Sequence, residues 1–152
     1  MIIKNALIYT ENHRFEKKDV RIRNERITEI AENGQFTDPD ENVIDGEGLY
    51  AIPGLVDIHF HGAVGHDFCQ ASKEELLKIA EYEAANGVLA ICPATMSYNE
   101  EILGKVMDKA ADYNEESGAD LVGINMEGPF IDLKKAGAQN PEYIIIMYSG
   151  FL

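Results

Sequence analysis

The chain has 152 residues, 45% hydrophobic and 26% charged, which is enough for a domain with a buried core and ordinary for a globular protein. Its formal charge of −14 argues against nucleic acid and anionic membrane surfaces as partners, because both need clustered Lys and Arg. No run approaches the roughly 18 apolar residues of a bilayer span, and the first residues lack a secretory pattern. Cys69 and Cys92 have no paired spacing, so free thiols and a cytoplasmic location are expected.

Residues 1–52 read as short strands that form a small N-terminal β-domain segment. Ala6 to Tyr9 is an apolar run, Val20 and Ile22 alternate with Arg21 and Arg23, and Asn24-Glu25 makes a turn before Ile27 and Ile30. Asn33-Gly34 through Pro39-Asp40 is loop by composition, and Val43-Ile44 and Leu49 to Ile52 add strand material.

From Pro53 the pattern becomes strand, helix, strand, helix, strand, as expected of right-handed βαβ units on a parallel sheet. Leu55 to His59 is the first strand. Ser72 with Glu75 makes a capping box, Leu76, Leu77, Ile79, Ala80 and Ala84 give a helical stripe, and Gly87 is the stop. Val88 to Cys92 is the next strand, with Cys92 in the core. Ser97 with Glu100 repeats the capping signature before Ile102, Leu103, Val106, Met107 and Ala110, and Gly118 ends that helix. Leu121 to Met126 is the third strand.

Two histidines at i and i+2 mark the end of the first of these strands. In extended chain Asp57, His59 and His61 share one face, with Ile58 and Phe60 on the other, so two imidazoles arrive at one place, as a metal site requires. Glu127 ends the third strand, and counting back by twos sets it on one face with Asn125, Gly123 and Leu121. Functional residues of such folds gather at the C-terminal ends of strands, where these three meet. Two His and one Glu suit Zn²⁺, Fe²⁺ or Co²⁺. Asp57 reads equally as a residue that orients a histidine or a neighbouring backbone group and as a direct metal ligand. Thr95 reads as a strand-end hydroxyl capping backbone, His66 and His13 as loop histidines, and Lys134 and Lys135 as a solvated pair.

Three segments carry a resemblance: Pro53-Gly54-Leu55-Val56-Asp57-Ile58-His59-Phe60-His61-Gly62, Gly123-Ile124-Asn125-Met126-Glu127-Gly128-Pro129-Phe130, and Lys135-Ala136-Gly137-Ala138-Gln139-Asn140-Pro141. Through them, from Met1 to about Ile144, the chain resembles the amidohydrolase superfamily and specifically the N-acetylglucosamine-6-phosphate deacetylases. The resemblance implies a (β/α)₈ barrel flanked by a small β-domain. It also implies hydrolysis of the N-acetyl group of N-acetylglucosamine 6-phosphate to glucosamine 6-phosphate and acetate. Glu127 then matches the principal metal ligand, and His59 and His61 match ligands of a second ion, so one or two divalent ions, Zn or Fe, are expected. Ala138 and Gln139 match a substrate-contacting loop, where several members carry His in place of Gln139. The resemblance also implies a phosphorylated amino sugar as partner and a homodimer.

A complete barrel takes about 250 residues. The expected fold is therefore α/β: an incomplete (β/α)₈ TIM-type barrel of about three βα units over residues 53–143, preceded by the β-segment. Residues 144–152 form an atypical apolar tail, read as a truncation or frame change after Tyr143, or else as a buried C-terminal strand. The general-base Asp and two further histidines of the family have no match in these residues. The alternatives are another metal-dependent amidohydrolase, such as a dihydroorotase or hydantoinase, and a non-catalytic truncated fragment. Glu127 disfavours the first of these, because such enzymes typically bridge their metals with a carboxylated lysine.

Overall fold

The apolar residues of the first strand explain the first sheet. In β1 (Ile2–Tyr9), Ile2, Ala6 and Ile8 are buried, and the alternation slips once, at Asn5, whose φ of 64° breaks the register between Ile3 and Ala6. The computed structural model describes residues 1–38 and 41–146, and the chain divides into two compact units, Met1–Pro53 and Gly54–Leu152.

In the first unit β1 pairs antiparallel with β2 (Phe15–Arg23), which pairs antiparallel with β3 (Arg26–Glu32). Asn24 and Glu25, at φ 49° and 61°, make the two-residue connection between β2 and β3, in the left-handed region that tight hairpins favour. The short strands β4 (Val43–Asp45) and β5 (Tyr50–Ala51) lie parallel to β1 at successive points along it. Ala6, Ile8 and Val20 form one buried cluster and Ile2, Ala31 and Phe36 another. The buried Asp19 carboxylate accepts hydrogen bonds from Asn5 N, Asn33 Nδ2 and Gly34 N at 3.1, 3.1 and 2.8 Å. These three donors compensate its desolvation and tie the Asn5 irregularity to the turn after β3.

The second unit is built on a parallel sheet ordered β10-β9-β6, with β6 (Leu55–Asp57) and β10 (Asp120–Leu121) on either side of β9 (Val88–Ile91). A small antiparallel pair, β7 (Gly62–Ala63) and β8 (His66–Asp67), follows β6. Helix α1 (Lys73–Ala85) begins with the capping box expected of it: Ser72 Oγ accepts from Glu75 N, and the Glu75 carboxylate accepts from Ser72 N. Its C-cap is Asn86, and Gly87 follows at φ 85°, the left-handed position that stops helices. Leu76, Ile79 and Ala80 are buried as the helical stripe requires. Phe68 and Leu76 on one side of the core pack with Val106 of α2 (Glu100–Ala111), and Ala80, Ile91 and Ala119 form a second cluster against which Phe60 packs.

Several elements depart from the sequence expectation. The strand expected over Leu55–His59 closes at Asp57, and that expected over Leu121–Met126 survives only as β10 and an isolated bridge between Ala94 and Asn125. Both runs hold one extra residue against β9 and its continuation. Cys92 N and Ala94 N donate to Asp57 O and Phe60 O, both at 2.7 Å, so three steps on one run face two on the other. Likewise Val122 N donates to Ile91 O at 3.0 Å and Asn125 N to Pro93 O at 2.9 Å. An extra residue on one side of a ladder reverses the facing of everything after it, so counting by twos fails across both strand ends.

Helix α2 is capped by Asn99, whose Oδ1 accepts from Ile102 N at 2.9 Å, rather than by Ser97, which is buried. The helix ends at Ala111 with Asp112 as C-cap, well before Gly118. Cys92 is half-buried rather than core. Ile145 and Ile146 of the apolar tail are about half exposed and not in a strand, and residues 147–152 lie outside the described residues, as do Pro39 and Asp40 of the expected loop. No helix among the described residues is long and apolar enough to cross a membrane.

Candidate metal centre

His59 and His61 follow β6, and Glu127 follows the Ala94–Asn125 bridge, so the three emerge at one end of the parallel sheet, from the two runs that flank β9. The Nε2 atoms of His59 and His61 each lie 3.4 Å from the same oxygen, Glu127 Oε2. The two rings stand edge to face with centroids 5.3 Å apart. Among the described residues, one ligand atom from each of these three side chains falls within 4.8 Å of the others. His59 is exposed and the other two are half-buried, so the group is open to solvent on one side.

This arrangement fits a divalent cation. Nitrogen and oxygen bonds to Zn²⁺ of about 2.0–2.2 Å at tetrahedral angles place neighbouring ligand atoms about 3.3–3.6 Å apart. The separations from Glu127 Oε2 to both imidazoles lie in that range. Three protein donors with an open side are the pattern of metal sites that leave a position for water or substrate.

Two of the three, His59 and Glu127, are held by hydrogen bonds from their neighbours, whereas the buried Nδ1 of His61 has no hydrogen-bond partner among the described residues. Asp57 Oδ1 accepts from His59 N at 2.9 Å, a local turn that competes with the strand ladder and contributes to ending β6 there. Asn125 Nδ2 donates to Ile58 O at 2.8 Å and lies 3.1 Å from His59 Nδ1, which fixes the plane of that ring. Glu127 N donates to Thr95 Oγ1 at 3.1 Å. Gln139 Nε2 donates to Glu127 Oε1 at 2.6 Å, and Gln139 Oε1 accepts from Ser97 N at 2.6 Å. Gly128, at φ 75°, lets the chain after Glu127 pass Ser97 so closely that a Cβ there would overlap Ser97 Oγ.

The structure thus gathers His59, His61 and Glu127, with Gln139 behind Glu127 and Ala138 exposed beside it. Thr95 caps backbone, as its type suggests. His66 lies apart from the three, its Nδ1 3.3 Å from Glu75 Oε1, and His13 lies 3.2 Å from Tyr9 Oη in the first unit. Lys134 and Lys135 are exposed in a short 3₁₀ turn. Sequence reading missed the links from Asn125 to His59, from Ser97 to Gln139 and from Gln139 to Glu127. The signal for the first was present, because Asn125 stands two residues before Glu127. The others join residues 42 and 12 apart, and no local pattern announces them.

The mixed α/β fold, with a His-x-His pair and a glutamate at one end of its parallel sheet, matches solved structures of the amidohydrolase class. Within that class, the chain is a relative of N-acetylglucosamine-6-phosphate deacetylase and matches an N-terminal portion of it. Over 147 residues it is 27% identical to the N-acetylglucosamine-6-phosphate deacetylase of Lysinibacillus sphaericus, covering 95% of this chain and 38% of that protein. The Danio rerio deacetylase is 30% identical over 148 residues, covering 92% of this chain and 36% of its own. The crystal structure of the Thermotoga maritima deacetylase shares the fold with a TM-score of 0.76 at 28% identity, over 98% of this chain and 38% of that one. The chain therefore spans little more than a third of the length of these relatives. No protein-family model matches it.

Proposed function

We propose that these residues supply part of a metal-dependent site that hydrolyses the N-acetyl group of N-acetylglucosamine 6-phosphate, giving glucosamine 6-phosphate and acetate. The observation that carries the reading is the convergence of two imidazole Nε2 atoms on Glu127 Oε2, both at 3.4 Å, in a chain similar to such deacetylases. His59, His61 and Glu127 would hold one or two divalent ions, with Zn²⁺ and Fe²⁺ suited to this donor set. Such an ion, when bound, would lower the pKa of its water to about 7 and polarise a carbonyl oxygen.

The chain's own residues prepare that site. Asp57 and Asn125 hold the His59 backbone and ring, and Thr95 holds the Glu127 backbone. The loop bearing Ala138 and Gln139 is the proposed substrate contact, supported by its place beside Glu127. Residues 53–143 are read as the first βα units of a (β/α)₈ barrel and residues 1–52 as part of a small β-domain. The location is read as cytoplasmic and the assembly as a homodimer.

Amide hydrolysis also needs a group that takes a proton from water and delivers it to the leaving amine. No residue of this chain is assigned that role, so the 152 residues alone are expected to bind metal without turning over substrate. The test measures acetate released from N-acetylglucosamine 6-phosphate with added Zn²⁺ or Fe²⁺, together with calorimetric Zn²⁺ binding. The expected outcome is Zn²⁺ binding that weakens about a hundredfold or more in Glu127→Ala, with no acetate above background. Rapid turnover by this chain would refute the partial-site reading, and absence of Zn²⁺ binding would refute the metal site.

A further inference from the structure

Glu127 is held at one carboxylate oxygen and offers the other to the two histidines. The oxygen that is held, Oε1, accepts from Gln139 Nε2 at 2.6 Å, and the oxygen that is offered, Oε2, faces His59 and His61. Gln139 is only 6% exposed, and its own Oε1 is engaged by Ser97 N at 2.6 Å. We propose that Gln139 is a positioning residue: its amide bridges Ser97 N–H to Glu127 and locks the carboxylate in the rotation that turns Oε2 toward the histidines. The inference deepens the metal reading above and rests on it for its consequence in cation binding.

The chemistry at each end leaves the amide one orientation. A backbone N–H can only donate, so the Gln139 atom facing Ser97 N must be the oxygen. An ionised carboxylate can only accept, so the atom facing Glu127 must be the NH₂. Both ends demand the same placement, and the bridge cannot be satisfied with the amide reversed. Because Gln139 and Ser97 are buried, water competes little for these bonds.

The main chain of Glu127 is fastened to the same segment through Thr95 Oγ1, so residues 95–97 hold Glu127 twice, once directly and once through Gln139. A glutamate without that second hold rotates about three side-chain torsions and points Oε2 at the histidines only part of the time. A neutral donor does this without neutralising the carboxylate, which keeps its full charge for a cation.

Two kinds of substitution separate positioning from mere packing. Gln139→Glu has the same shape and keeps the acceptor for Ser97 N–H, but it replaces the donor with a second anion. Gln139→His keeps both functions, with Nδ1 accepting from Ser97 and Nε2–H donating to Glu127.

The first measurement needs no metal. In the ¹H–¹⁵N spectrum of the 152-residue chain, the Gln139 side-chain NH₂ signals should lie away from the free-glutamine position and move to it in Glu127→Ala. Signals already at the free position in the unsubstituted chain would overturn the proposal. The second measurement is a Co²⁺ titration followed by visible absorption, with circular dichroism confirming that each variant folds. Gln139→Glu should weaken Co²⁺ binding about 10–100-fold, and Gln139→His should stay within about threefold of the unsubstituted chain. Equal Co²⁺ affinity in Gln139→Glu would also overturn it. If Gln139→Glu fails to fold, the NH₂ comparison decides. No Co²⁺ binding by the unsubstituted chain, with the NH₂ signals still responding to Glu127, would sink the metal reading while sustaining the hold of Gln139 on Glu127.

Discussion

Glu83 is a carboxylate on the inward side of α1, only 8% exposed, and among the described residues its side chain has no hydrogen-bond or ion-pair partner. Burial raises its pKa, and the nearby Asp57 charge raises it further. A folded-state pKa above the unfolded one means that the native state binds the proton more tightly. The stability this contributes is fully present below the unfolded value and is lost as pH rises through the raised folded value. Glu83→Gln should therefore raise the melting temperature at pH 7 by a few degrees and change it little near pH 4. Thermal melts across that range check this, and a parallel pH dependence in both proteins would refute it. The same residue-scale logic applies to the candidate metal centre, where Asp57, Asn125, Thr95 and Gln139 hydrogen-bond the backbone or side chains of His59 and Glu127.

At the scale of elements, the caps decide where helices begin, and local sequence was enough for α1 but not for α2. Ser72 and Glu75 satisfy each other's backbone N–H groups, and Ser72→Ala should cost about 1 kcal/mol in denaturant unfolding with an unchanged slope. A loss below a few tenths of a kcal/mol would show that the cap contributes nothing. The pair Ser97 and Glu100 has the same spacing and makes no box, because Ser97 N–H is committed to Gln139, 42 residues away. Asn99 caps the helix instead. The same contrast holds for the strands. β6 and β10 begin where the apolar pattern places them, but each run then carries one extra residue against its partner, and nothing local in Ile58-His59 or Gly123-Ile124 signals it.

Across the whole molecule, the parallel sheet of the second unit carries apolar side chains that nothing among the described residues covers. Val56, Leu89 and Val122 are 58%, 55% and 63% exposed. Parallel sheets in folded proteins are buried on both faces, and exposed apolar strands promote association. The isolated chain is therefore expected to self-associate in a concentration-dependent way and to enhance the fluorescence of an apolar dye. Sedimentation velocity over a range of concentrations tests this, and Leu89→Lys should shift the distribution toward monomer. A monomer at every concentration, with no dye response, would refute it.

The donor types were legible from local pattern alone. Apolar runs of strand character end in His59-Phe60-His61 and before Glu127, and that is sufficient to bring imidazole and carboxylate to the same end of a parallel sheet. The capping box of α1, the turn at Asn24-Glu25 and the buried stripe of Leu76, Ile79 and Ala80 were equally local, because each depends on residues within one or two turns of each other. Which oxygen of Glu127 faces the histidines depended on contacts between residues far apart in the chain: Ser97 to Gln139, Gln139 to Glu127, and Gly128 against Ser97. Side-chain orientation in a buried network is set by which donors and acceptors packing brings together, and only the folded chain determines that.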